Sequence, residues 1–227
     1  MSSDFLEDAK RVWRMAGAFP PDKEIVYPEH GVVQEFDLHH GEDVLEYGCG
    51  GGSDAMSWGR RGNRVTATDI VVQNLDITKA RWEQAWLRRL IPGGELRTVL
   101  LAGSHPLPFP ANSFGVVSSH GVVHHIPDAD RVVEEFARVL RPGGLCYVML
   151  YTEELAKQHA ERTADFVAGG ATPGEAFGHC TDGPGAWACW YTEEEGRDLL
   201  TGAGLVVEAA TAWQGGIFRT FKARKPA

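Results

Sequence analysis

Residues Val44 to Asp54 read VLEYGCGGGSD: a short apolar run carrying Glu46, four glycines broken only by Cys49, then Ser53 and Asp54. A glycine-rich turn between a strand and a helix lets a ligand of nucleotide type approach the backbone closely. The spacing Gly48-x-Gly50-x-Gly52, with Ser53 in the last position, departs from the dinucleotide fingerprint G-x-G-x-x-G. No GK[ST] follows, so a phosphate-cradling P-loop is excluded. Glu46 precedes the turn, Asp54 follows it, and no Lys or Arg lies between Val44 and Gly59. Two carboxylates repel a pyrophosphate and attract a cation.

S-adenosyl-L-methionine is a ligand of that kind, with no phosphate, a sulfonium charge and an ammonium at one end. Asp69 ends the second strand-like segment, 23 positions after Glu46. A carboxylate there can accept both hydroxyl protons of a ribose. Ile70, next along, can pack on an adenine.

Three histidines, His120, His124 and His125, lie in FGVVSSHGVVHHIPD. Neutral histidine is suited to taking a proton near neutral pH. His120 lies nearest the end of its strand and is the candidate catalytic base; His124 and His125 can equally pack locally. Tyr27, His30, His179, Asp182, Trp187, Trp190 and Tyr191 sit in two segments outside the core pattern. Aromatics with a few polar groups suit a pocket for a flat or amphipathic small molecule. The same tryptophans could simply fasten those segments to the core. The cysteines, at 49, 146, 180 and 189, form no CxxC pair, so neither a metal site nor a disulfide scaffold is expected.

The elements that must hold these residues alternate between strand-like and helix-like patterns. Strands are expected at 44–47, 64–68, 96–101, 114–119, 145–151, 205–210 and 217–223. Helices are expected at 53–61, 73–90, 129–140 and 192–202, with Ser53 and Thr192 as caps. Leu75, Trp82, Trp86 and Leu90 fall roughly on one face of the second helix. Arg141-Pro142-Gly143-Gly144 reads as a breaker. Such alternation implies an α/β fold, a Rossmann-like seven-stranded and mostly parallel sheet with helices on both faces. Ligands of such sheets bind beyond the carboxyl ends of the strands, where the strand order reverses.

The expected organisation is a single domain: an N-terminal cap segment at 1–43, a cofactor-binding core at 44–151, a substrate cap insertion at 152–191 and core completion at 192–227. The insertion is expected to hold a helix from about Glu153 to Val167 and then a glycine-rich loop, GGATPGEAFGHCTDGPG. A long insertion at the ligand edge reads as a lid.

The chain has 227 residues, 43% of them hydrophobic and 23% charged, with a formal net charge of −9. Such acidity disfavours nucleic acid as a partner. No apolar run reaches the ~20 residues of a membrane span, and the first residues lack the basic-then-apolar layout of a signal peptide. A cytoplasmic location is the expectation, and no feature fixes an oligomeric state.

VLEYGCGGGSDAMSWGRRGNRVTATDI resembles the first two motifs of the class I S-adenosylmethionine-dependent methyltransferases. FGVVSSHGVVHHIPD and EFARVLRPGGLCYVML resemble the fourth-strand and fifth-strand motifs of that superfamily, in its broad small-molecule and ubiquinone-type branch. The resemblance covers roughly residues 40–151. It implies that Glu46 holds the methionine ammonium and that Gly48, Cys49 and Gly50 bring the backbone to the methionyl part. It also implies that Asp69 binds the ribose and that Ser119 and His120 line the methionine end. The family often places an acidic residue after strand three to meet the adenine amine. Here that region reads LLAGSHPLPFP, leaving Ser104 or His105 as replacements. Gly115 stands where the family usually has Asp and reads as structural.

The implied activity is methyl transfer to an O or N atom of a small-molecule acceptor. Tyr27, His30, His124, His179, Asp182, Trp187 and Tyr191 are its candidate contacts. A non-catalytic S-adenosylmethionine-binding protein, a C-methyltransferase and a nucleic-acid methyltransferase are the alternatives. The last lacks its Asn/Asp-Pro-Pro-Tyr motif here, where the chain reads SSHG.

Overall fold

The computed structural model describes residues 35–227 except 88 and 92. Its strands are β1 (Asp43–Tyr47), β2 (Arg64–Asp69), β3 (Glu95–Leu100), β4 (Phe114–Ser119), β5 (Leu140–Tyr151), β6 (Val206–Trp213) and β7 (Phe218–Arg224). Its α-helices are α1 (Ser53–Arg60), α2 (Val72–Leu87), α3 (Ala129–Val139), α4 (Glu153–Gln158), α5 (Ala160–Ala168), α6 (Pro173–Asp182) and α7 (Glu193–Gly202). The strands form one seven-stranded sheet in the order β3-β2-β1-β4-β5-β7-β6. β1 pairs in parallel with β2 and β4, and β2 with β3. β7 runs antiparallel to both β5 and β6. The expected fold class is the observed one, and strand order reverses direction at β1, the strand that delivers the glycine turn.

The chain gathers into two compact units. Among the described residues, one comprises 35–103 with Ser113–Ser118; the other comprises Ser104–Asn112 with Ser119–Ala227. In the first, Val44 and Leu45 of β1 are fully buried, and Trp58 of α1 meets Phe36 edge-on at 4.4 Å. Gly59 has no side chain because Trp82 of α2 fills its place: a Cβ there would lie 2.3 Å from the indole. Gly115, where the family usually carries an acid, faces the Glu42 carboxylate at 2.2 Å from an added Cβ. In the second unit, α3 buries Val132, Val133, Phe136 and Val139, the i, i+1, i+4, i+7 stripe of an amphipathic helix.

Four local expectations differ from the structure. Ser53 is not a cap: it is the first helical residue of α1, and Gly52, in the left-handed conformation at φ 74°, precedes it. Trp86 does not share the buried face of α2; it is exposed, while Ile77, Thr78 and Arg81 are buried. The Arg-Pro-Gly-Gly breaker does end α3, but β5 begins at once. The Gly143 N–H donates to the Lys225 carbonyl at 2.9 Å and the Lys225 N–H to the Gly144 carbonyl at 3.0 Å, so these residues join the β7 ladder instead of looping out.

The cap insertion is also more helical than expected. Its first helix breaks at His159 into α4 and α5, and the glycine-rich stretch holds α6. Thr172-Pro173-x-Glu175 explains α6. The Thr172 side chain accepts from the Glu175 N–H, the Glu175 carboxylate accepts from the Thr172 N–H, and Pro173 occupies the first turn. That reciprocal capping box nucleates a helix despite three nearby glycines. The same device, Thr192 with Glu195, starts α7 as expected.

Candidate functional site

The turn after β1 is held on two sides. The Gly48 and Cys49 N–H groups both donate to the Thr68 carbonyl of β2, at 2.9 and 2.8 Å. The Gly50 N–H donates to Asp69 Oδ2 at 2.9 Å. From the other side, α2 supplies Thr78, whose hydroxyl donates to the Gly50 carbonyl at 3.1 Å. Gly52 is forced twice over. It has a positive φ, and an added Cβ would lie 2.6 Å from Thr78 Oγ1.

Three carboxylates converge on this turn, all nearly inaccessible: Glu46 at 4%, Asp54 at 6% and Asp69 at 6% exposure. Asp69 also accepts the Val71 N–H at 2.8 Å and the Asn74 amide at 3.1 Å, which locks its orientation. Glu46 is less satisfied. Its Oε2 is buried with no hydrogen-bond partner among the described residues. Burial, then the neighbouring Asp54 and Asp69, push its carboxyl well above the ordinary range, while Arg81 and the Ala55 N–H pull it down.

Arg81 is the residue that sequence reasoning missed. It is 2% exposed. Its Nη1 donates to the Gly51 carbonyl and, at 3.2 Å, to Ser53 Oγ. The absence of basic residues between 44 and 59 therefore does not describe the turn in space, because α2 carries a guanidinium into it. The readable signal was its spacing. Leu75, Thr78, Arg81, Trp82 and Ala85 fall on the buried stripe of α2, and an arginine on an apolar stripe needs a buried partner.

The other cofactor candidates fall in varied surroundings. Cys49 turns its thiol inward, 3.6 Å from Thr78 Oγ1, and burial pushes the thiol far above its ordinary range. Ile70 follows Asp69 and is 65% exposed, an apolar side chain available to a flat ligand. In the second unit, Ser104 Oγ lies 3.1 Å from His105 Nδ1, which is also 3.3 Å from Asp128. Ser119 is fully buried, and its hydroxyl has no hydrogen-bond partner among the described residues.

The second unit also collects the candidate acid–base groups. His120 stacks on Trp213 at 5.8 Å, Trp213 meets Phe218 at 4.8 Å, and Phe218 meets Tyr151 at 5.8 Å. His124, expected at the acceptor, is instead wholly inside. It stacks on Tyr151 at 3.6 Å, and burial, reinforced by the adjacent His125, holds it neutral well below its ordinary value. The partly exposed neighbour is His125. Its Nδ1 lies 3.0 Å from the Trp187 carbonyl and its Nε2 3.9 Å from Asp182 Oδ1. The Tyr151 hydroxyl donates to the same Asp182 oxygen at 2.8 Å. Asp182 is thus brought together with His125 and Tyr151, neither of which sequence reasoning placed in the site.

Trp187 takes part through its carbonyl. Its indole lies over Gly174, 2.2 Å from an added Cβ. Tyr191 is stitched to β5 through its N–H to the Tyr151 carbonyl at 2.9 Å. His179 packs on Phe166 of α5 at 4.2 Å. Tyr27 and His30 lie outside the described residues. Among the described residues no cluster of His, Cys, Asp and Glu could hold a metal ion, and no helix is long and apolar enough to cross a membrane.

A doubly wound sheet whose switch strand ends in a glycine turn, with an acid closing the next strand, defines a nucleoside-binding Rossmann-like domain. Residues 45–148, a little under half of the chain, match the family described as methyltransferase domain, in keeping with the resemblance of the motifs to the class I S-adenosylmethionine-dependent methyltransferases. The ubiquinone biosynthesis O-methyltransferase of Psychrobacter cryohalolentis is 34% identical over 106 residues, 47% of this chain and 39% of that protein. The 27-O-demethylrifamycin SV methyltransferase of Amycolatopsis mediterranei is 36% identical over 108 residues, 47% of this chain and 38% of that protein. The chain therefore spans about two fifths of the length of these curated relatives.

Among solved structures, an S-adenosylmethionine-dependent methyltransferase from Methanosarcina mazei shares the fold, with TM-score 0.65 and 20% identity over 88% of this chain and 98% of that one. So does the 1,6-didemethyltoxoflavin-N1-methyltransferase of Burkholderia thailandensis, with TM-score 0.60 and 22% identity over 99% of this chain and 87% of that one. S-adenosylmethionine is the cofactor that the resemblance implies. The residues fit it: Glu46 leaves a buried oxygen for an ammonium, and Ile70 leaves an apolar face beside the Asp69 carboxylate.

Proposed function

We propose that the protein transfers a methyl group from S-adenosylmethionine to an oxygen or nitrogen of a small-molecule acceptor. The observation that carries the reading is the glycine turn with its three buried carboxylates, which suits a cation and repels a phosphate. The names of the curated relatives, a ubiquinone biosynthesis O-methyltransferase and a 27-O-demethylrifamycin SV methyltransferase, support an oxygen acceptor. The cofactor, when bound, supplies an electrophilic methyl carbon on its sulfonium. Glu46 would face its ammonium, Asp69 its ribose and Ile70 its adenine, while Gly48 and Gly50 admit the methionyl part. Residues 152–191 would serve as the acceptor's cap, a role their aromatic and polar side chains suit.

A hydroxyl acceptor must lose a proton. His120 is the base on the first reading. A second reading is favoured by the contacts of His125. With its Nδ1–H donated to the Trp187 carbonyl, Nε2 keeps the lone pair that can take a proton, 3.9 Å from Asp182 Oδ1. Turnover of cofactor carrying a labelled methyl group, against a panel of phenols, alcohols and amines, tests the function. Cofactor binding with no labelled product from any acceptor would favour a binding protein. His120→Ala and His125→Ala, compared on the best acceptor, separate the bases: the true one lowers kcat by ~10²–10⁴-fold and leaves cofactor affinity unchanged.

A further inference from the structure

One face of α2 holds two successive carbonyls of the cofactor turn. Thr78 takes Gly50, and Arg81, one helical turn on, takes Gly51. Arg81 also brings a charge. The groups facing Glu46 are Asp54 from α1, Asp69 from β2, Cys49 from the turn and Arg81 from α2, while Arg60 of α1 faces Arg81 itself. A carboxyl that is buried, partnered on one oxygen only and set between two other carboxylates favours a proton until a cation arrives. The guanidinium is the one influence of the opposite sign from α2.

We propose that Arg81 is a positioning residue for the cofactor turn: it clamps the Gly51 carbonyl and governs how readily Glu46 gives up its proton, so that the cationic cofactor is taken up with release of that proton. Burial at 4% exposure, an unpartnered Oε2 and the neighbouring Asp54 and Asp69 make Glu46 hold its proton more tightly than an ordinary carboxyl. On binding, its proton leaves to solvent, and the resulting carboxylate faces the cofactor's ammonium. Thr78 contributes the clamp without the charge. This inference rests on the turn being the S-adenosylmethionine site; Arg81 and Thr78 are residues that the family resemblance does not assign.

Calorimetric titration with S-adenosylhomocysteine, which keeps the ammonium, in two buffers of different ionisation enthalpy measures the protons released. Native protein should release a proton where Glu46 is neutral, with affinity rising about tenfold per pH unit there. Glu46→Gln should abolish both the release and the slope. Thr78→Val should weaken binding equally at every pH. Arg81→Met should weaken it most at low pH and carry the slope to higher pH; Arg81→Lys should restore the native profile while still binding less tightly. Zero proton release by native protein, release unchanged in Glu46→Gln, or an Arg81→Met profile parallel to that of Thr78→Val would overturn the proposal. The native and Glu46→Gln titrations decide it even if Arg81→Met does not fold. Failure of native protein to bind the nucleoside at any pH would overturn the cofactor reading itself, and this inference with it.

Discussion

Asp69 gives the sharpest test of the cofactor site, because its carboxylate serves the fold and the ligand at once. It accepts the Gly50 N–H at 2.9 Å, the Val71 N–H at 2.8 Å and the Asn74 amide at 3.1 Å. A hydrogen bond to a charged acceptor contributes about 1.5–3 kcal/mol. Asp69→Asn can keep the Val71 contact by turning its oxygen there, but its amide then meets two donors, Gly50 N–H and Asn74 Nδ2. The turn loses two partners and gains a repulsion, so stability should fall by about 2–4 kcal/mol after relaxation. Asp69→Ala leaves no acceptor for a ribose diol, so S-adenosylhomocysteine should bind more weakly by ~1–3 kcal/mol, roughly 5- to 150-fold in Kd. Isothermal calorimetry on the folded variant reads the affinity, and thermal melting without ligand reads the turn. Asn74→Ala removes one anchor of the carboxylate and no ligand contact, so it should cost stability with little loss of affinity. A folded Asp69→Ala variant with native affinity would remove Asp69 from the site and refute the orientation argued for the nucleoside.

Gly52→Ala should destabilise by ~1–2 kcal/mol for its left-handed backbone and by a further ~1–3 kcal/mol for crowding Thr78, which denaturant titration measures. His124 is neutral in the fold, whereas the unfolded ring takes a proton below its ordinary value of 6.5; its contribution is complete above that pH and is lost as pH falls through it, so His124→Phe should flatten the acid side of a Tm–pH plot. Residues 152–191 should gain hydrogen-exchange protection when cofactor and acceptor are both bound; protection confined to 44–70 would mean that the segment is no lid.

The parts of the fold that were legible are those whose signal is local. β1, β2, β4 and α7 stand where apolar runs, β-branched residues and the Thr192 cap put them. α6 was missed because glycine count was weighed above the capping box of Thr172 and Glu175, although the box was as readable as the one at Thr192. The onset of β5 was missed for a different reason. Pro142, Gly143 and Gly144 do break the helix, and only the pairing with Lys225, some eighty residues on, makes them strand. The same limit applies to the cluster of His125, Tyr151 and Asp182. Tyr151 reads as the end of a buried strand and His125 as half of a repeated pair. It takes α6 to bring Asp182 to both, and no spacing rule connects three residues on three elements.

The charge around the cofactor turn differs in space from the charge along the sequence. The stretch from Val44 to Gly59 has no basic residue, yet the turn it forms holds the buried guanidinium of Arg81. What decides the ligand is the sum in space: Glu46, Asp54 and Asp69 against Arg81, all nearly excluded from water. That sum still favours a cation, which draws the proton off Glu46, though by less than sequence alone implied, because one of the four ionisable groups has the opposite sign and sits on the carbonyl side of the turn. An added phosphate would have to meet three carboxylates with one arginine already engaged by Gly51 and Ser53. A sulfonium and an ammonium meet instead a Glu46 oxygen that nothing else among the described residues satisfies. The guanidinium therefore does not make the turn a phosphate site. It lessens the mutual repulsion of the carboxylates enough for them to be buried together, and so lets the fold keep an acidic turn on the strand where the sheet changes direction.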